Sequence, residues 1–293
     1  MNASLLDLSG KIDDITVELF ETVVRVAQSI DVPFFVVGAT ARDIILLHGY
    51  DINPKRATAD IDFGVQVSDW DRYEQLKEGL LETGDFTPTR DPQQLAYKEA
   101  LRIDVIPFGA ITGPDNVLTW PPDYETRMNM LGFEEAHNHA LTVRLRSDPV
   151  LDVPFASLAG LAAMKIIAWN DNYSRGKRDA PDLFLIMSTY LDAGNQDRLF
   201  NEEKDIVDVE DFDYVRAGAR LLGRDIAAIL NTRTVKTVLE ILIRETGEEG
   251  RCRLVEDMMD IHGTSENGFD HRLDLLKEMT LGILDRTGKG RDS

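Results

Sequence analysis

Cysteine is almost missing. Cys252 is the sole example in 293 residues, which excludes an intrachain disulfide and any zinc site built on cysteine. Positive charge is also scarce: 32 Lys and Arg face 52 Asp and Glu, for a net charge of −20 and a sequence pI near 4.6. That balance disfavours a protein that coats DNA through a broad basic surface, while leaving room for a local basic cleft. No apolar run approaches the roughly 18–20 residues of a membrane span. The opening stretch MNASLLDLSGKIDD has neither the basic start nor the apolar core of a secretory signal. A cytoplasmic protein with no membrane partner is expected. Internal repeats and low-complexity segments are absent as well. The five histidines show no ligand spacing beyond His137-x-His139, which follows Glu134-Glu135 and reads as a surface loop.

What is there is a globular chain, 43% hydrophobic and long enough for two domains at about 150 residues each. Apolar residues from Ile15 to Ile30 follow helical spacing and stop at Pro33. PFFVVG (33–38) reads as a buried strand and ATARDIILLHG (39–49) as a helix closed by glycine. ADIDFGVQV (59–67) and EALRIDVIPFG (99–109) alternate as strands. Ser68 is the expected N-cap of a helix over 69–81. Trp120-Pro121-Pro122 reads as a rigid turn. From Leu158 the pattern becomes helical throughout. The stretch from Asp197 to Asp213, with eight acidic residues against Arg198 and Lys204, reads as an exposed connector or solvated face. The expected fold class is α+β: an α/β domain with a mixed sheet over residues 1–154, then an all-helical domain over 155–293.

The chemistry concentrates in two constellations. Asp60-Ile61-Asp62 on a strand places two carboxylates on one face, about 7 Å apart, where they repel unless a cation sits between them. Such oxygen-only ligation suits Mg²⁺, or Mn²⁺, with substrate phosphates completing the shell. Asp104, in Arg102-Ile103-Asp104-Val105, adds a third carboxylate if the two strands are neighbours. Three such groups can hold metal ions that clamp both oxygens of an in-line phosphoryl displacement. Upstream, Gly38 allows close backbone approach. Thr40 lies at a helix start, where phosphate binding is favoured, and Arg42 carries a phosphate-matching fork. In the helical half, Lys165 interrupts the apolar run LAAMKIIAW. It is followed by Arg175-Gly176-Lys177-Arg178-Asp179 and then Asp182-Leu183.

Gly38-Ala39-Thr40, the Asp60-Ile61-Asp62 strand and the later Asp104 together resemble the nucleotidyltransferase superfamily of DNA polymerase beta. In that family a Gly-Ser or Gly-Gly turn precedes the Asp-x-Asp strand, so Ala39-Thr40 is a departure and throws the phosphate contact onto Thr40 or the backbone. VGATARDIILLHGY also resembles the start of tRNA CCA-adding enzymes. The Lys165…Arg178-Asp179-x-x-Asp182-Leu183 string is similar to the AbiEii and MenT group, nucleotidyltransferase toxins of toxin–antitoxin pairs. The resemblance implies transfer of NMP from an NTP to an acceptor hydroxyl. Asp60, Asp62 and Asp104 would act as catalytic metal ligands, Lys165 and Asp179 as active-site residues, and Gly38, Thr40, Arg42, Lys165 and Arg178 as nucleotide contacts. It favours an RNA acceptor, the tRNA 3′ end above all, and a cognate antitoxin partner. The acidic net charge fits a small antibiotic-like acceptor or a protein hydroxyl instead, and a catalytically inactive nucleotide- or partner-binding homologue is a further alternative.

Overall fold

The computed structural model describes residues 5–54, 60–122, 124–172, 178–247, 250–259 and 266–288. Ala59, expected to open the Asp-x-Asp strand, and Arg175, Gly176 and Lys177 of the basic string lie outside them. The chain divides into two compact units, Met1–Ser157 and Leu158–Ser293. The division expected at residue 154 falls inside a strand, Val150–Phe155, so the first unit runs slightly further.

The first unit contains strands β1 (Leu5–Asp7), β2 (Phe34–Val37), β3 (Asp60–Gln66), β4 (Phe86–Pro88), β5 (Gln94–Tyr97), β6 (Leu101–Phe108), β7 (Val117–Thr119), β8 (Arg127–Asn129), β9 (Leu141–Ser147) and β10 (Val150–Phe155). Its helices are α1 (Asp14–Ser29), α2 (Gly38–Asp43), α3 (Trp70–Glu82) and α4 (Phe133–Asn138), and a π-type turn, Ile44–Gly49, continues α2. Among the described residues one mixed sheet runs β1-β9-β10-β2-β3-β6-β5-β4, and β7-β8 form a separate hairpin. β2 pairs antiparallel with β3, and β3 pairs parallel with β6.

Central strands explain the composition of β2, whose four residues are all buried. The two faces of the sheet are covered differently. Phe63 and Phe155 pack against Phe20 of α1, a helix whose apolar stripe includes Leu19, Phe20, Val23 and Val26 and whose N-cap, Asp13, accepts from Thr16 N. On the opposite face Phe35 and Phe108 pack against Phe133 and His137 of α4. Gly64 makes this possible, because a Cβ there would lie 2.4 Å from the Phe35 ring. His137 is therefore a packed ring on a helix rather than part of a surface loop, and burial lowers its pKa. The helix after β3 is capped by Asp69, which accepts from Arg72 N; Ser68, the expected cap, instead donates its hydroxyl to Asp69. Trp120 is 7% exposed and packs on Trp70 and Tyr73.

The second unit contains α5 (Leu158–Asn172), α6 (Asp179–Thr189), α7 (Gln196–Glu202), α8 (Lys204–Val207), α9 (Tyr214–Ile229), α10 (Thr232–Thr246), α11 (Arg253–Asp257) and α12 (Glu266–Thr287). α9 and α12 cross at Gly223 and Gly282, where an added Cβ would lie 2.0 Å from Met279 O or Arg220 O. Part of the acidic stretch is not a passive connector: Glu203 and Asp205 both grip Arg224, which is 5% exposed and also binds Asp285. No described helix is long and apolar enough to cross a membrane.

Candidate active site

β3 alternates with period two, so Asp60, Asp62 and Gly64 share a face while Ile61, Phe63 and Val65 enter the opposite layer. The parallel register sets Asp62 beside Asp104 and Asp60 beside Arg102. All three carboxylates therefore project from one face, the face that Phe35 and Phe108 occupy further along the sheet. Gln94 of β5 lies opposite Asp104 and donates through Nε2 to its Oδ1 at 3.0 Å. Burial raises the Asp104 pKa. Gln94 and Arg102 oppose that rise, while the negative charges of Asp60 and Asp91 add to it.

β2 ends at Val37, beside Asp62, and the chain turns at Gly38 with φ +71. A Cβ at Gly38 would lie 1.8 Å from Asp62 Oδ2. Only glycine both adopts this backbone and leaves room for the carboxylate to lie over the turn. Thr40 donates its hydroxyl to Asp60 O at 2.6 Å, tying the start of α2 to the start of β3. Arg42 departs from the expected role of phosphate donor. It is 2% exposed, and Nε donates to Asp43 Oδ1 at 2.7 Å, with Nη2 on the same oxygen. The side chain lies inward, where the ion pair with Asp43 offsets its charge.

The carboxylate set fits a hard divalent cation by donor chemistry, since every candidate ligand is an oxygen. The coupling of Asp60 to Asp104 is the repulsion that a cation would relieve. Among the described residues, no group of three His, Cys, Asp or Glu side chains is drawn together in a ligating arrangement.

The helical unit holds the second constellation. Lys165 of α5 is 8% exposed, and its Nζ lies 2.9 Å from Asp179 Oδ1 and 2.7 Å from Asp182 Oδ2, both on α6. Burial works to lower the lysine pKa, but the two carboxylates outweigh it and the pKa is raised. Asp182 was not anticipated as a site residue. Its signal was the three-residue spacing from Asp179, which puts both carboxylates on one helical face. Arg178 is exposed and occupies the N-cap position of α6, and Asp179 is the first helical residue. Gln94 carried no signal in the sequence, because only strand pairing places it beside Asp104.

A glycine turn beneath one aspartate, an Asp-x-Asp strand and a third aspartate in register beside it stand together on one face of the sheet. The family described as nucleotidyl transferase AbiEii toxin, type IV TA system, matches residues 23–260. The chain belongs to that family and is a nucleotidyltransferase enzyme. No curated protein matches it. Among solved structures it is similar to the lincosamide antibiotic adenylyltransferase LnuA with lincomycin bound, at 15% identity and TM-score 0.36 over 59% of this chain and 96% of that one. It is similar to a CCA-adding enzyme in complex with CTP, at 13% identity and TM-score 0.32 over 96% and 85%. JHP933 from Helicobacter pylori matches at 12% identity and TM-score 0.34 over 95% and 96%.

Proposed function

We propose that the protein transfers a nucleoside monophosphate from an NTP to the 3′-terminal hydroxyl of an RNA, a tRNA in particular, and releases pyrophosphate. The observation that supports this best is the pairing of Asp62 with Asp104 across parallel strands, with Asp60 on the same face. Asp60, Asp62 and Asp104 would hold Mg²⁺ or Mn²⁺. When bound, the metal supplies positive charge to the phosphates and to the reacting oxygens. Gly38 and Thr40 bring the backbone of the turn close to the phosphates, and Thr40 positions Asp60. Asp104 would bind a second metal ion or help deprotonate the acceptor hydroxyl. That oxygen then attacks the α-phosphorus in line, and pyrophosphate departs with the bonding electron pair. Within the helical unit Asp179 and Asp182 position Lys165, and the family resemblance assigns Lys165, Arg178 and Asp179 to the nucleotide.

As a member of a toxin family, the protein is expected to act in the cytoplasm, where NTP and tRNA are found, and to be restrained by a cognate antitoxin. The test is incubation with each labelled NTP, Mg²⁺ and total tRNA, followed by gel separation. Label in the tRNA band, lost on omission of Mg²⁺ and in Asp62→Asn, is the expected result. Label in the protein band alone would move the acceptor to a protein hydroxyl. Label in neither would overturn the RNA assignment.

A further inference from the structure

A second polar construction lies in the helical unit, away from the Lys165 cluster. Gly247 and Gly250 follow α10 and approach each other closely. Gly250 N donates to Gly247 O at 2.7 Å, so closely that a Cβ on Gly250 would lie 2.5 Å from that oxygen. Arg251 N then reaches Arg244 O at 3.4 Å. Cys252 takes the left-handed conformation, φ +50, which favours glycine and is held here by its surroundings. The result is that Arg251 and Arg253 border the same cavity as Arg244, a space of about 100 Å³ also lined by Trp169, Asn170 and Glu245.

The cavity has an ordered wall. Glu245 is 1% exposed, and its two oxygens accept from Arg244 Nε at 3.0 Å and from Leu254 N at 3.3 Å. Arg244 Nη2 donates to Asn170 Oδ1 at 2.8 Å, so this guanidinium is fixed in orientation with Nη1 left over. Among the described residues Arg251 makes no side-chain hydrogen bond or ion pair. Arg42, Arg144, Arg146, Arg198, Arg220 and Arg224 sit directly on carboxylates, as Arg244 in this cavity does on Glu245. Three guanidiniums border this space against one buried carboxylate, Glu245, which is already paired with Arg244. That space is room enough for one phosphate group. Trp169 cannot stack a base, being 2% exposed with Nε1 bound to Asp257.

We propose that this cavity binds a single phosphate group and that the phosphate is one of the backbone phosphates of the RNA acceptor. The RNA source rests on the acceptor reading above; the phosphate chemistry does not. Guanidinium forks hold phosphate oxygens with charge-assisted, directional bonds, and contact with one backbone phosphate adds about one unit to the salt slope of RNA binding.

The full chain labelled with ¹⁵N is titrated with inorganic phosphate while the Trp169 indole cross-peak is followed, and tRNA affinity is measured by anisotropy over a range of salt. Wild type is compared with Arg251→Ala and with Lys236→Ala, which removes an exposed cation elsewhere on α10. Melting temperatures confirm that both variants fold. Expected are a saturable indole shift in wild type and Lys236→Ala but not in Arg251→Ala, tRNA affinity about tenfold lower in Arg251→Ala, and a salt slope reduced by about one. An indole that ignores phosphate overturns the site. An indole shift with unchanged tRNA affinity and slope overturns the RNA source in favour of free phosphate. Transfer is scored separately. A protein that labels tRNA without either effect refutes the cavity alone, and one that loses tRNA affinity in Arg251→Ala but labels no RNA refutes the transfer reading alone.

Discussion

Removing the Lys165 ammonium separates its structural load from its chemical one. Its Nζ sits within 2.9 Å of Asp179 and 2.7 Å of Asp182, and the side chain is only 10% exposed. Lys165→Ala leaves two carboxylates facing each other one helical turn apart on α6, with Asp182 nearly as buried as the lysine. Breaking one partner out of a buried ion pair costs about 3–5 kcal/mol, which for a chain of this size corresponds to a drop in Tm on the order of 10 °C. Lys165→Ala combined with Asp182→Asn should regain a large part of that loss, because the uncompensated charge is then gone. The pH dependence follows from the sign of the shift. A lysine whose folded pKa is raised contributes stability in full below its ordinary value near 10.5, and loses it as pH rises through the higher folded value. The gap in stability between wild type and Lys165→Ala should therefore hold constant from neutral pH to about 10 and narrow above that. Transfer rate per folded molecule should fall by about two to three orders of magnitude, the scale of one lost electrostatic donor. Melting and transfer are measured on the same preparation. An unchanged Tm would refute the buried-clamp argument, and an unchanged rate per folded molecule would make Lys165 scaffold only.

Two further substitutions address the α/β unit. Gly38→Ala would place a Cβ 1.8 Å from Asp62 Oδ2 at φ +71, so transfer should collapse and stability should fall by about 1–3 kcal/mol from backbone strain alone; a near-normal rate would show that the carboxylate does not need to lie over the turn. Asp62→Asn removes one of three like charges from the face. The apo protein should melt at the same temperature or higher, while the rise in Tm caused by Mg²⁺ with NTP in wild type should vanish; a rise that survives would exclude Asp62 as a ligand.

Local signals in the chain settled the parts of this protein that depend on spacing. The Asp60-x-Asp62 alternation put two carboxylates on one face, the apolar periodicity after Leu158 marked the helical half, and the Gly38 turn followed from a buried strand running into a helix. These are period-two, period-3.6 and glycine effects, each complete within a few residues. Pairing was not contained there. β9, β10, β4 and β5 are short or bent strands whose sheet membership comes from their neighbours, and the one-residue register that sets Asp62 beside Asp104 is decided by the packing of both faces. Arg42 looks like a phosphate donor in sequence because it follows a glycine turn; burial against Asp43 turned it inward. Trp120 reads in sequence as part of a rigid turn beside two prolines; Trp70 and Tyr73, distant in the chain, enclose it. Asp182, Gln94 and the three-arginine cavity share the same cause. Each depends on which side chains the fold brings together from separate stretches of chain, and only burial and partner placement in the tertiary structure decide that.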